Sequence, residues 1–372
     1  MHTIAVIGAN GQVGSEVCLF LSLYGDIKVF PISRTRLGSA FLRICGLSCR
    51  HGSVADTVYA PALLEGCDVV VDFSLPQGLY SDVCDAVRRT ICGAVMHSPR
   101  RAKFIYASTL MVYGMGGSSR ELCWYTVPRT SYGAWKRFAE QTAAKTCRAH
   151  SKPLFVLRLG QVHGELQSVS RGLTRSLAGE GKITVPACPS YTVFCFTIAE
   201  AVAQIARREE PPGTYTLVSS PEWTWEELYR HCANRIGAKV EIVSEPIAPL
   251  NRSILAALSR VPRYFAGRLV SSVKTKREIL LPYLRWFPRI EPELRARNAM
   301  HNGAAVAQRA TLREGVRQMT IFRGDIPGNR LRWLSDSRVT MESAAAKVRN
   351  MLPTARRSVW TAIPYDRNLT SR

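Results

Sequence analysis

The apolar run Ile4-Ala-Val-Ile7 ends directly in Gly8-Ala-Asn10-Gly11-Gln12-Val13-Gly14, and the amphipathic segment Ser15–Tyr24 follows. No other stretch restricts the fold as strongly. A buried strand that breaks into a glycine-rich turn and continues as a helix is the opening of a dinucleotide-binding βαβ unit. The glycines make the turn tight and let a pyrophosphate approach the backbone. The helix start offers unpaired N–H groups and the positive end of its dipole. The spacing is Gly-x-x-Gly-x-x-Gly rather than Gly-x-Gly-x-x-Gly, so placement after a first strand carries the reading more than the spacing does. The alternation then continues. Ile27–Ile32 reads as a strand, Val58–Leu64 as a helix, Cys67–Ser74 as a β-branched strand, Ser81–Met96 as a helix and Lys103–Thr109 as a strand. Continuous apolar strands between amphipathic helices predict a parallel sheet covered on both faces.

Composition excludes several alternatives. The 372 residues are 46% hydrophobic and 21% charged, enough for two globular domains. No apolar run approaches the ~18 residues of a membrane-spanning helix. Met1–Gly8 reads as a strand and not as a secretory signal. The 11 cysteines are scattered, with no Cys-x-x-Cys pair. That argues against a metal cluster or a disulfide framework and makes a cytoplasmic location the expectation. The net charge of +22 is uneven. Residues 1–250 hold 26 Lys and Arg against 20 Asp and Glu, whereas residues 251–372 hold 24 against 8. The basic third suits phosphate-bearing ligands, anionic lipid or nucleic acid, or is a solvated surface. No nucleic-acid motif accompanies it, which ranks nucleic acid last.

Two positions carry candidate chemistry. Ser33-Arg34 closes the second strand where an NAD site would place an acidic residue for the ribose 2′-hydroxyl. A guanidinium there suits the 2′-phosphate of NADP instead, the alternative being an exposed loop charge. Further on, Ser131-Tyr132-Gly-Ala-Trp-Lys136-Arg-Phe-Ala-Glu140 reads as helix, which stacks Tyr132 and Lys136 on one face. A neighbouring ammonium favours the phenolate and lowers the tyrosine pKa, so Tyr132 can serve as a general acid or base with Lys136 as its tuner. Tyr-x-x-x-Lys alone is equally two residues on a solvated face.

An ordered set of motifs resembles the extended short-chain dehydrogenase/reductase family, also called the NAD-dependent epimerase/dehydratase family. Gly8–Gly14 matches its cofactor fingerprint. Tyr106-Ala-Ser108-Thr109-Leu-Met-Val112-Tyr113-Gly114 resembles its Ser-Ser/Thr…Val-Tyr-Gly segment, and Tyr132-x-x-x-Lys136 its catalytic pair. Leu157–Gly164, Phe196–Val202, Gly213–Pro221, Thr224–Leu228 and Leu312–Arg317 resemble later segments. The resemblance implies a Rossmann-type doubly wound parallel sheet with a smaller C-terminal α/β substrate lobe. It assigns proton exchange to Tyr132, support of that tyrosine and of the nicotinamide ribose to Lys136, and a hydrogen bond to the reacting oxygen to Thr109. Thr109 is preferred to Ser108 because it stands three residues before Val112. The implied cofactor contacts are Gly8, Asn10, Gly11, Gln12, Val13, Gly14, Arg34, Ser53, Val54, Phe73, Ser74, Tyr132 and Lys136. The cofactor is NADP or NAD, with Arg34 favouring NADP. Tyr113, His163, Arg171 and Arg175 are substrate-side candidates, each with a packing or surface reading beside it. Ser53 replaces a usual Asp, Thr197 a usual His and His163 a usual Tyr. Asp85 is the nearest residue to a usual Asn.

The expected organisation is a nucleotide-binding domain over 1–164, to which 191–207 returns, a substrate lobe over 165–330, and a basic, partly disordered tail over 331–372. Residues 241–310 depart most from the family. The apolar, basic and aromatic stretch 253–287 reads as an interfacial helix pair on an anionic membrane, a lid, a homodimer surface, or helices packed on the lobe. The expected substrate is a small, phosphate-bearing molecule, foremost a nucleotide-activated sugar undergoing epimerisation, dehydration or reduction. The rivals are NADPH-dependent reduction of a lipid or aromatic carbonyl, and a non-catalytic NAD(P)-binding scaffold or sensor.

Overall fold

A computed structural model describes residues 1–76, 80–113, 131–164, 166–179, 181–207, 210–218, 223–246, 329–330, 347–348 and 350–351. The first half alternates as the periodicity predicts. It runs β1 (His2–Ile7), α1 (Gln12–Leu21), β2 (Ile27–Ser33), α2 (Ala40–Ile44), β3 (Arg50–His51), α3 (Ala60–Leu64), β4 (Val69–Asp72), α4 (Tyr80–His97), β5 (Lys103–Thr109), α5 (Ser131–Ala149) and β6 (Leu154–Leu159). A single 3-10 turn, Leu110–Tyr113, follows β5. The chain continues as β7 (Gln161–His163), α6 (Ser168–Gly179), β8 (Lys182–Pro186), β9 (Thr192–Phe194), α7 (Cys195–Arg207), β10 (Gly213–Leu217), α8 (Trp225–Ile236), β11 (Glu241–Glu245) and the two-residue β12 (Asn329–Arg330).

The main sheet is parallel, in the order β12-β10-β6-β5-β4-β1-β2-β3. After β1 the chain adds β2 and β3 on one side, then crosses to add β4 and later strands on the other. The crevice between the C-terminal ends of β1 and β4 is therefore the topological switch point, where open α/β sheets bind ligands.

Strand parity divides the core. Ile4, Val6, Val69, Val71, Ile105 and Leu157 face one side with Val17, Phe20, Ile198 and Val202 of α1 and α7. Ala5, Ile7, Val70, Phe104 and Tyr106 face the other with Val83, Val87, Ile91 and Ala143 of α4 and α5. Alternate residues of a strand point to opposite faces, so each strand buries both sets. A separate core joins Leu173 and Leu177 of α6, Ile183 and Val185 of β8, and Trp225, Leu228 and Tyr229 of α8. Here β8 pairs with β11. Helix α8 starts at a complete capping box, Thr224 with Glu227, which satisfies the first orphan N–H groups.

The sheet recruits more of the chain than the sequence reading assigns to it. β10 lies beside β6, although 213–217 falls in the stretch read as the second lobe. Val348, in the stretch read as a tail, is fully buried in the core that α1 and α7 share. The stretch 253–287, with its membrane, lid and dimer readings, lies outside the described residues. Among those described, no helix is long and apolar enough to cross a membrane.

Candidate active site

The glycine turn sits at the switch point and its geometry explains its composition. Gly8 has φ +73°, and a Cβ there would stand 2.7 Å from the Ser74 nitrogen. Gly14 packs so closely that its Cβ would stand 2.4 Å from the Gly8 carbonyl oxygen. Gly8 and Gly14 are thus required by the protein's own packing. Gly11 differs, since a Cβ there meets only the Gly8 oxygen, at 3.2 Å. Gly11 is the N-cap of α1, with no side-chain capping bond and no acidic residue in the first turn. A helix start without a capping oxygen or carboxylate, at a switch point, is a phosphate cradle. The residues present therefore fit a dinucleotide.

The remaining cofactor candidates surround this cradle. Val13 is part-buried against the core. Asn10 is exposed, and its Nδ2 lies 3.4 Å from where a Cβ on Gly38 would be, which places it by the loop after β2. Arg34 is exposed at the head of that loop. Ser53 accepts a hydrogen bond from the Ala55 N–H through Oγ, at 3.3 Å. Val54 is buried, and its carbonyl lies against Gly93 of α4. Phe73 donates its N–H to the Ile7 carbonyl at 3.0 Å, and Ser74 borders Gly8. The Gln12 Oε1 accepts the Ser168 N–H at 2.9 Å and so holds the start of α6.

Tyr132, Lys136 and Thr109 meet where β5 ends against α5. The Tyr132 hydroxyl is hydrogen-bonded to the Thr109 side chain, and Thr109 is buried. Burial pushes the Tyr132 phenol above its usual pKa, only partly countered by the Thr109 hydrogen bond. Ser108 points away. Its Oγ donates to Glu140 Oε1 at 2.5 Å, and Glu140 is clasped by Arg158 at 3.0 and 2.7 Å. Adjacent strand residues face opposite sides, so the reacting oxygen can meet only one of the two hydroxyls.

Lys136 departs from its expected place. It does share a helix face with Tyr132, but its Nζ donates to the Ala107 carbonyl at 2.7 Å and lies 4.9 Å from the Tyr106 ring centre. The ammonium is thereby drawn to the backbone of β5, and the groups that act on it are Asp72 and Glu140. Burial lowers its pKa to about 8, against the pull of those carboxylates. The expected lowering of the Tyr132 pKa by Lys136 is therefore replaced by a rise from burial.

On the substrate side, His163 is buried. Its Nδ1 lies 3.1 Å from Ser170 Oγ, and its Nε2 meets no partner among the described residues. Burial drives its pKa down to about 4, which keeps the ring neutral. Arg175 is exposed on α6. Arg171 lies on the same helix and Tyr113 in the turn after β5, but their side chains lie outside the described residues. Thr197 is buried in α7, and Asp85 pairs with Arg88 at 3.0 Å on α4.

The sequence profile of the NAD dependent epimerase/dehydratase family matches residues 4–185, the span that contains the cradle and the Thr109, Tyr132 and Lys136 cluster. That stretch, 182 of the 372 residues, is similar to the family. The match supports an NAD-dependent enzyme. Solved structures agree at the level of the fold. A UDP-N-acetylglucosamine 4-epimerase from Bacillus cereus is 18% identical, with TM-score 0.53, over 68% of this chain and 88% of that one. A UDP-glucose 4-epimerase from Bifidobacterium longum, solved with NAD+ and UDP, is 16% identical, with TM-score 0.51, over 66% and 87%. A dTDP-4-dehydrorhamnose reductase from Clostridium acetobutylicum is 14% identical, with TM-score 0.50, over 66% and 84%. No curated protein matches significantly.

Three carboxylates of this chain escape the sequence reading. Glu16, fully buried on α1, accepts the Leu166 N–H at 2.9 Å and Gln167 Nε2 at 2.8 Å. With Gln12 one turn earlier, it ties the cofactor helix to the start of α6. Glu140 and Asp72 flank Lys136. The available signals were an acid four residues after Lys136 and an acid closing the apolar run Val69-Val-Val-Asp72. Both positions are buried, and a buried acid needs a partner.

Proposed function

We propose that the protein transforms a nucleotide-activated sugar by NAD(P)-dependent epimerisation, dehydration or carbonyl reduction, with Tyr132 exchanging the proton. The observation that carries this reading is the Tyr132–Thr109 hydrogen bond at the end of β5, beside the switch-point crevice headed by α1. The nicotinamide group, when bound, supplies or takes up hydride. The chain's own residues do the rest. The start of α1 holds the pyrophosphate, and Gly11 lets it approach. Arg34 stands where a 2′-phosphate would be read and favours NADP. Thr109 orients the reacting oxygen toward Tyr132. A phenol held above its ordinary pKa is neutral at pH 7, so in the resting site Tyr132 is a proton donor to a carbonyl oxygen. The substrate class is supported by the named neighbours, which include two UDP-sugar epimerases, and by the basic helix α6 with Arg171 and Arg175.

The test is turnover of UDP- and dTDP-sugars with NAD or NADPH by the wild type and by Tyr132→Phe. Phenylalanine retains the ring and removes the proton. Turnover should fall by roughly 10²–10⁴-fold, with cofactor affinity within a few-fold of wild type. Unchanged turnover in Tyr132→Phe would remove the tyrosine from the mechanism.

A further inference from the structure

We propose that Asp72 is the counter-ion of Lys136, a positioning residue that keeps the lysine charged and aimed at the end of β5. The placement follows from strand parity and register. Val69 and Val71 face α1 and α7, while Val70 faces α4 and α5. Asp72 therefore shares the α5 side with Val70. Its register partner on β5 is Tyr106, over whose ring Lys136 Nζ lies, and Nζ is bonded to the next carbonyl, that of Ala107. Asp72 is almost fully buried, as is Lys136. Isolated charges are not sustained at such depth, so each requires the other.

Charge balance in the cluster makes the assignment specific. The groups facing Lys136 are Asp72 from β4, Tyr106 from β5, and Tyr132 and Glu140 from its own helix. Arg158 of β6 takes both Glu140 oxygens in a fork, so the charge of Glu140 is already matched. Helix α4, packed on α5, directs Arg88 at the Phe138 ring, 5.5 Å from its centre, and not at Lys136. Asp72 is left as the carboxylate matched to the lysine. It also accepts the Ser74 N–H at 2.7 Å through Oδ1, in the turn against which Gly8 packs. The same side chain thus borders the cofactor crevice and acts electrostatically on the lysine. The effect of burial on both groups agrees with this placement: burial pushes the Asp72 carboxyl up, against the Ser74 hydrogen bonds and then Lys136, and pushes the Lys136 ammonium down, against Asp72 first and then Glu140.

The relevance of the pairing to catalysis rests on the proposed role of Tyr132, but the pairing itself can be read without that role. The experiment is the pH titration of Lys136 by NMR of the full chain labelled at lysine 13Cε, with the signal assigned by its loss in Lys136→Met. Wild type should titrate near pH 8. Asp72→Asn keeps an oxygen for the Ser74 N–H and should move the midpoint down by a unit or more, a tenfold or greater change in proton affinity. Glu140→Gln should move it less. An unchanged midpoint in Asp72→Asn, or a larger shift in Glu140→Gln, would overturn the assignment. Thermal melts give a second reading that tolerates a weakened fold. Lys136→Met strands Asp72 and should lower Tm, and the double variant Asp72→Asn/Lys136→Met should recover part of that loss. A double variant no more stable than Lys136→Met contradicts the pairing. If the enzyme proves inactive on every sugar nucleotide while the lysine titrates as expected, the substrate assignment fails and the pairing stands.

Discussion

At the scale of single residues, the site is set by where buried polar atoms find partners. Ser108 and Thr109 are neighbours of the same chemical type, yet Ser108 is committed to Glu140 and Thr109 to Tyr132. His163 shows the cost of an incomplete set. One ring nitrogen meets Ser170, and the other meets no partner among the described residues. Its folded pKa, about 4, is depressed from 6.5 by burial, so the neutral ring contributes stability that is full above pH 6.5 and lost as pH falls through 4. The span corresponds to about 3 kcal/mol. Denaturation of wild type between pH 7 and pH 4 should therefore show a steeper loss of stability than His163→Gln, measured by urea unfolding at each pH. Parallel pH curves for the two proteins would show that His163 is already charged or solvated in the fold.

At the scale of elements, the β1–turn–α1 unit separates two kinds of glycine. A Cβ on Gly14 would overlap backbone at 2.4 Å, whereas one on Gly11 would meet a single backbone oxygen at 3.2 Å, a tight contact that a small shift relieves. Gly14→Ala should cost about 1–3 kcal/mol of stability, as overpacking does. Gly11→Ala should leave the melting temperature within a few degrees of wild type and weaken cofactor binding tenfold or more. Equal losses of stability in both variants would contradict this division. The unit was legible in the sequence because its signals are local: an apolar run, a glycine turn and a helical period within some 20 residues. The direction of Lys136 was not legible. It depends on the Ala107 carbonyl, 29 residues away, and on an acid from another strand. The clasp of Glu16 on Leu166 spans 150 residues. No pattern within one element encodes it.

At the scale of the whole molecule, one sheet collects strands from both halves of the chain, with the crevice at the ends of its neighbouring strands β1 and β4. Alternation predicts such a sheet, and the resemblance named its family. The sequence reading stopped the sheet too early because β10 is short and opens with Gly213-Thr-Tyr, a weaker strand signal than the β-branched β4. Val348 could not be placed from pattern, since a lone apolar residue in a basic stretch has no period to declare its core face. The central claim, a dinucleotide held at the start of α1, meets its most direct test in calorimetric titration of the protein with NADPH, NADP, NADH and NAD, on wild type and Arg34→Ala. Saturable binding at one site per chain is predicted, tightest for the phosphorylated cofactors, with Arg34→Ala removing that preference and leaving NADH affinity within a few-fold. Absence of binding by all four would contradict the account.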